Sequence, residues 1–185
     1  MSSTPQLDRI VTPRLLLRRY TRDDADLDNI ARLIADPRVM RYYPQTYDRE
    51  EAAAWVDAFI KSYEKRGYSL LVVERLSDGA YLGHIGLLHW DDVDAREDVE
   101  VAYMLCADEW GHGYAIEAAR ACRDWAFENL DPDRVVSFIS VENAPSIKVA
   151  ERNGMTRIKR LDENRLKTPI YVYAIEREEW DERQP

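Results

Sequence analysis

"VEVAYMLCADEWGHGYAIEAAR" (residues 99–120) decides how this chain folds. A strand-like run ends at "ADEW", two glycines flank a histidine, and alanine-rich sequence follows. Glycines just ahead of a helix let the backbone approach a ligand, and the helix's first amides have no partners along the chain. Ala115, Ala118, Ala119 and Cys122 form a small-residue stripe, so the helix can lie close against a sheet. The stretch suits a pyrophosphate held by main-chain amides; a purely structural turn is the other reading.

Two familiar phosphate loops fail here. A Walker A loop needs a terminal Gly-Lys-Ser/Thr, and Gly113 is followed by Tyr114 and Ala115. A dinucleotide fingerprint needs a third small residue where this chain has Ile116, and a tight turn where it has "ADEW".

Composition bounds the rest. The 185 residues, 45% hydrophobic and 33% charged, predict one domain, 1–185, with a single core. A net charge of −9 argues against nonspecific nucleic-acid binding and suits cationic partners such as amines. No apolar window is long enough for a membrane span, and the opening residues predict no secretory signal. Cys106 and Cys122 read as two reduced thiols, which predicts a cytoplasmic protein.

Outward from the opening stretch, strands are predicted over 14–20, 68–76, 80–90, 98–106, 134–141, 154–161 and 168–178. Helices are predicted over 21–36 from a Thr–acid signal, 48–67 closed by Gly67, 112–129, and 143–154 capped by Asn143. "SDGA" joins the second and third strands as a hairpin. This order predicts an α/β domain whose seven-stranded sheet is mostly antiparallel, with helices on its faces.

Four stretches in order resemble the GNAT superfamily of acyl-CoA-dependent N-acyltransferases, and most closely its RimJ/RimL-like branch. They are "TPRLLLRRYTRDDAD", "VEVAYMLCADEWGHGYAIEAAR", "SVENAPSIKVAERNGM" and "TPIYVYAIEREEW", which together span nearly the whole chain. One departure is Asp108, where the superfamily often has Gln or Arg; a carboxylate beside a pyrophosphate is expected to point outward.

The resemblance implies that acetyl-CoA lies where strands 98–106 and 134–141 splay apart. Met104, Leu105 and Cys106 would pair with the pantetheine through their main chain. Trp110, Gly111, His112, Gly113, Tyr114 and Ala115 would cradle the pyrophosphate, and Asn143 and Ser146 would touch the cofactor from the following helix. Glu100 is the candidate base, with a substrate-cation ligand as the other reading; Ser146 is the candidate proton donor or simply a first-turn residue. Many members carry a tyrosine where this chain has Ala150, so that role is moved or dispensed with.

Other residues weigh less. His112 is expected to contribute its amide, not its imidazole. His84 and His89 lie an odd number apart on one strand, and no other cluster has ligand spacing, so no metal is predicted. Cys106 lacks a paired histidine for acyl-cysteine chemistry. Met40, Tyr42 and Tyr43 line the acceptor pocket or pack on the second helix. Trp90 with "DDVDAREDVE" forms an acidic mouth or a solvated run, and Arg152 reaches a CoA phosphate or serves its helix end.

The expected function is direct acetyl transfer from acetyl-CoA to a primary amine, with a protein or peptide N-terminus as leading acceptor. A small amine, amino sugar or antibiotic is the alternative, and a non-catalytic acyl-CoA sensor is the reading from another class. No nucleic-acid or membrane partner is expected. Dimers are common among the superfamily's members, so a homodimer stays open.

Overall fold

The computed structural model describes residues 4–91, 93, 96–164 and 168–183. The chain runs β1 (Arg9–Val11), β2 (Leu15–Arg19), α1 (Asp24–Ala35), α2 (Arg49–Arg66), β3 (Leu70–Arg75), β4 (Tyr81–Trp90) and β5 (Asp98–Leu105). It continues through α3 (Tyr114–Leu130), β6 (Arg134–Ser140), α4 (Ala144–Arg152), β7 (Thr156–Leu161), β8 (Ile170–Glu176) and α5 (Arg177–Asp181). The sheet order is β1-β2-β3-β4-β5-β6-β8-β7.

Among the described residues eight strands stand where seven are expected, because Arg9–Val11 pairs with Leu16, Leu17 and Arg18. Its pairing comes from an edge, not from a buried apolar face, so no periodicity marks it. The first helix also starts later than predicted. Asp23, not Thr21, is its N-cap and accepts from the Asp26 amide at 2.8 Å, while the Thr21 hydroxyl donates to the Asp26 carboxylate. The other caps stand where expected: Gly67 ends α2 at φ 83°, and the Asn143 side chain accepts from the Ser146 amide.

Helices cover both faces of the sheet. On one side His84 of β4 lies among the rings of Tyr20, Trp55 and Phe59, the last two from α2. Burial there pushes the His84 imidazole down to about 3, so it is neutral. α3 packs on β4 and β5 through the fully buried Ala118, Ala119, Cys122 and Ala126. Small side chains bring its backbone close to the strands, which fixes where its first turn sits.

One joint differs from all the others. Every neighbouring pair is antiparallel except β5–β6, which is parallel and pairs only Val99 with Val135 and Glu100 with Val136. A buried bidentate ion pair between Asp98 and Arg134, at 2.7 and 2.8 Å, holds the closed end. The Ser137 hydroxyl donates to the Val101 carbonyl at 2.7 Å as a further link. Beyond it the two strands separate.

Candidate acetyl-transfer site

Where β5 separates from β6, the β5 edge has no strand beside it. The Val101 carbonyl already points toward β6, and alternation along a strand turns Tyr103 and Leu105 the same way. The Cys106 amide instead donates to the Leu82 carbonyl of β4 at 2.8 Å, and Met104 stands opposite His84 on the same side. Of the three residues expected to pair through their main chain, Leu105 has its groups toward the gap, and its carbonyl accepts from the Trp110 indole at 2.9 Å.

At the open end of the gap lies the start of α3. Gly111 has φ 83° and Gly113 φ 80°, the left-handed region that glycine enters without cost. Gly113 is the N-cap, and no side chain caps the helix, so the amides of its first turn stay available above the positive end of a 17-residue helix. Three groups brace the loop from behind. Arg14 donates to the His112 carbonyl at 3.0 Å and to Glu117 at 2.6 Å, and the Thr12 hydroxyl donates to Glu117 at 2.6 Å. His112 is exposed and stacks on Tyr114. Asp108 is directed outward, 81% exposed, and pairs with Arg38 at 2.9 Å. First-turn amides with no side-chain cap, next to a strand edge that β6 has left, fit a phosphate-bearing thioester in both parts.

At the closed end sits Glu100, only 7% exposed. One carboxylate oxygen accepts from the Trp90 indole at 2.6 Å and the other from the Phe138 amide at 3.1 Å. Burial pushes its carboxyl up to about 7, and those two hydrogen bonds hold it from rising further. Tyr43, exposed over 45% of its surface, lies close enough for burial and then the Glu100 charge to raise its phenol to about 12. Trp90 meets Phe138 edge to face at 6.2 Å.

Glu100, Trp90 and Phe138 therefore come together, with Tyr43 near enough for its phenol to feel the Glu100 charge. Met40 is buried in the core, and Tyr42 is half-buried beneath the Arg41 guanidinium. Asp92 and Asp94 of the acidic run lie outside the described residues, while Asp98 is committed to Arg134. Arg152 gives its carbonyl to Arg120. Phe138 is not legible from sequence, since it reaches Glu100 and Trp90 through pairing between distant strands. Among the described residues no group of three His, Cys, Asp or Glu side chains gathers as a metal site, and no helix is long and apolar enough to cross a membrane.

The profile of the family described as "Acetyltransferase (GNAT) domain" matches residues 14–156. The chain belongs to the GNAT acetyltransferase family. This GNAT chain is 34% identical to the uncharacterized protein YkkB of Bacillus subtilis, over 89% of its own length and 94% of that protein's. An acetyltransferase structure from Agrobacterium tumefaciens superposes with a TM-score of 0.77 at 29% identity, covering 95% of this chain and 98% of that one. RimL, a ribosomal L7/L12 α-N-protein acetyltransferase solved with coenzyme A, shares the fold with a TM-score of 0.71 at 17% identity, covering 90% and 96%.

Proposed function

We propose that this GNAT acetyltransferase moves the acetyl group of acetyl-CoA directly onto the α-amino group of a protein or peptide. The observation that carries the choice of acceptor is the buried Glu100 carboxyl, pushed up to about 7 beside Tyr43 and Trp90. An amine attacks only when neutral. A free α-amino group, with a pKa of about 7.7–8.0, is about one unit from such a base, a mismatch of about 1 kcal/mol. A lysine or polyamine near about 10.4 is more than three units away, about 4–5 kcal/mol. Glu100 is matched to the first class and poorly matched to the second. RimL, an α-N-protein acetyltransferase, has the same fold and supports the reading.

Acetyl-CoA, when bound, supplies an activated carbonyl, and the chain supplies the rest. The first-turn amides of α3 hold negative charge at the mouth of the gap. Leu105 and Tyr103 offer main-chain partners along the β5 edge, and Asn143 and Ser146 at the start of α4 would touch the cofactor. Glu100 takes a proton from the attacking amine, while Tyr43 and Trp90 bound the space in front of it.

The test is thiol release from acetyl-CoA with peptides bearing free N-termini, with polyamines and with aminoglycosides. Preferred turnover of peptides, lost on N-terminal blocking, is expected. Turnover of a polyamine or aminoglycoside alone would overturn the acceptor, and CoA binding with no turnover would favour a sensor.

A further inference from the structure

The loop at the start of α3 is gripped by a residue 98 positions earlier in the chain. Arg14, between β1 and β2, donates through Nη1 to the His112 carbonyl at 3.0 Å and through Nε to Glu117 at 2.6 Å. Its guanidinium stands 4.7 Å over the Tyr114 ring, and its Nη2 lies 3.5 Å from where a Cβ on Gly113 would be. A trans peptide sets its carbonyl and the next amide in opposite directions. Holding the His112 carbonyl toward Arg14 therefore aims the Gly113 amide away from it.

The other partner is a carboxylate in an awkward place. Glu117 belongs to the first turn of α3, with its side chain only 16% exposed. Burial works against its charge, yet the Thr12 hydroxyl and then the Arg14 guanidinium hold its carboxyl below the ordinary value, so it is ionised. A carboxylate in that turn repels an anion brought to the same amides unless a cation stands against it.

We propose that Arg14 is a positioning residue for the cosubstrate: it aims the Gly113 amide and cancels the Glu117 charge, which leaves the first turn of α3 fit to hold a pyrophosphate. This rests on the acetyl-CoA reading above. Arg14 works through His112 and Glu117, so it governs how tightly the phosphates are held and not the transfer itself. The task needs a guanidinium, whose fork meets a carbonyl and a carboxylate at once, where an ammonium is a point charge.

Arg14→Met keeps an apolar stem against Tyr114 and removes the guanidinium. By calorimetry, CoA affinity is expected to weaken about tenfold. KM for acetyl-CoA should rise to match, with kcat within about twofold of wild type. Acetyl-pantetheine, a thioester without the phosphates, supplies the readout that a merely structural role would not move. The preference for acetyl-CoA over it, as a ratio of kcat/KM values, should fall about tenfold, whereas general damage to the fold lowers both alike. Adding Glu117→Gln to Arg14→Met should recover about threefold in CoA affinity, since no charge is left to cancel. Should Arg14→Met fold poorly, Arg14→Lys keeps the charge without the fork, and its CoA affinity should still lie below wild type. Wild-type CoA affinity in both variants, an unchanged preference, or no recovery in the double variant would overturn the assignment while leaving acetyl transfer intact. Failure of the wild-type protein to bind CoA would remove both.

Discussion

The indole N–H of Trp90 donates to the Glu100 carboxylate across 2.6 Å, from a neighbouring strand of the same sheet. The Phe138 amide, on the far side of the β5–β6 joint, holds the other oxygen. Glu100 is thereby fixed from β4 and from β6 at the point where β5 and β6 part. A carboxylate on a flexible loop could not hold its proton-accepting oxygen to one place in this way.

The rate should carry the signature of that group. With a peptide acceptor, kcat/KM is expected to rise as pH increases through about 7, where Glu100 loses its proton, apart from the acceptor's own titration. In Glu100→Gln the limb near 7 disappears and the rate falls about 10²- to 10⁴-fold. A higher KM at unchanged kcat would assign Glu100 to holding the substrate's charge.

Glu100 also leaves a mark on stability, with a sign opposite to that of most carboxylates. Its folded pKa of about 7 exceeds the ordinary value of 4.5, so between those values the native chain keeps a proton that the unfolded chain has lost. Stability contributed by protonated Glu100 is therefore lost as pH rises from 4.5 through about 7. Glu100→Gln removes this penalty and should be more stable above pH 7, by about 3 kcal/mol at most. Thermal melts near pH 5 and pH 8 check it: the variant's advantage is expected at the higher pH and should vanish at the lower.

Gly113→Ala tests the cradle. An alanine at φ 80° strains the backbone by about 1–2 kcal/mol, while its methyl meets only the Arg14 guanidinium at an ordinary 3.5 Å. CoA affinity should drop about tenfold by calorimetry, because strain at the N-cap disturbs the amides of the first turn. Gly79→Ala, at φ 72° in the hairpin, meets no atom within 4 Å and makes the matched control. Equal affinities in all three proteins would separate the loop from CoA.

Asn153 gives a prediction away from the site. It is buried at the end of α4, and neither its side-chain oxygen nor its nitrogen has a hydrogen-bond partner among the described residues. Leaving such a group unsatisfied costs about 1–3 kcal/mol. Asn153→Leu should raise Tm by roughly 2–6 °C. A lower Tm would mean that a buried water already serves the amide.

What the sequence shows and what it hides divides along local and distant causes. Glycines 111, 113 and 67 and the Asn143 cap were legible because each acts within one turn of its own residue. Edge strand β1 was not, since three residues without a buried face have no period to detect. Asp108 was expected to point outward and does, but its partner Arg38 lies 70 residues earlier. Met40 reads as a pocket residue or one packed on the second helix, and neither reading follows from its neighbours in sequence; the structure buries it at 2% exposure. Tyr103 resembles any strand aromatic until α4 is placed against it, 43 residues on.

The brevity of the β5–β6 joint has a mechanical consequence. Two paired positions make it a seam, with a five-stranded antiparallel leaf, β1 to β5, on one side and a three-stranded leaf, β6, β8 and β7, on the other. Each leaf carries its own ladder of hydrogen bonds, and across the seam they are joined by one buried core and the Asp98–Arg134 pair. Whatever fills the gap by pairing with the β5 edge would act as mortar between them, making the molecule stiffest when it holds what it works on.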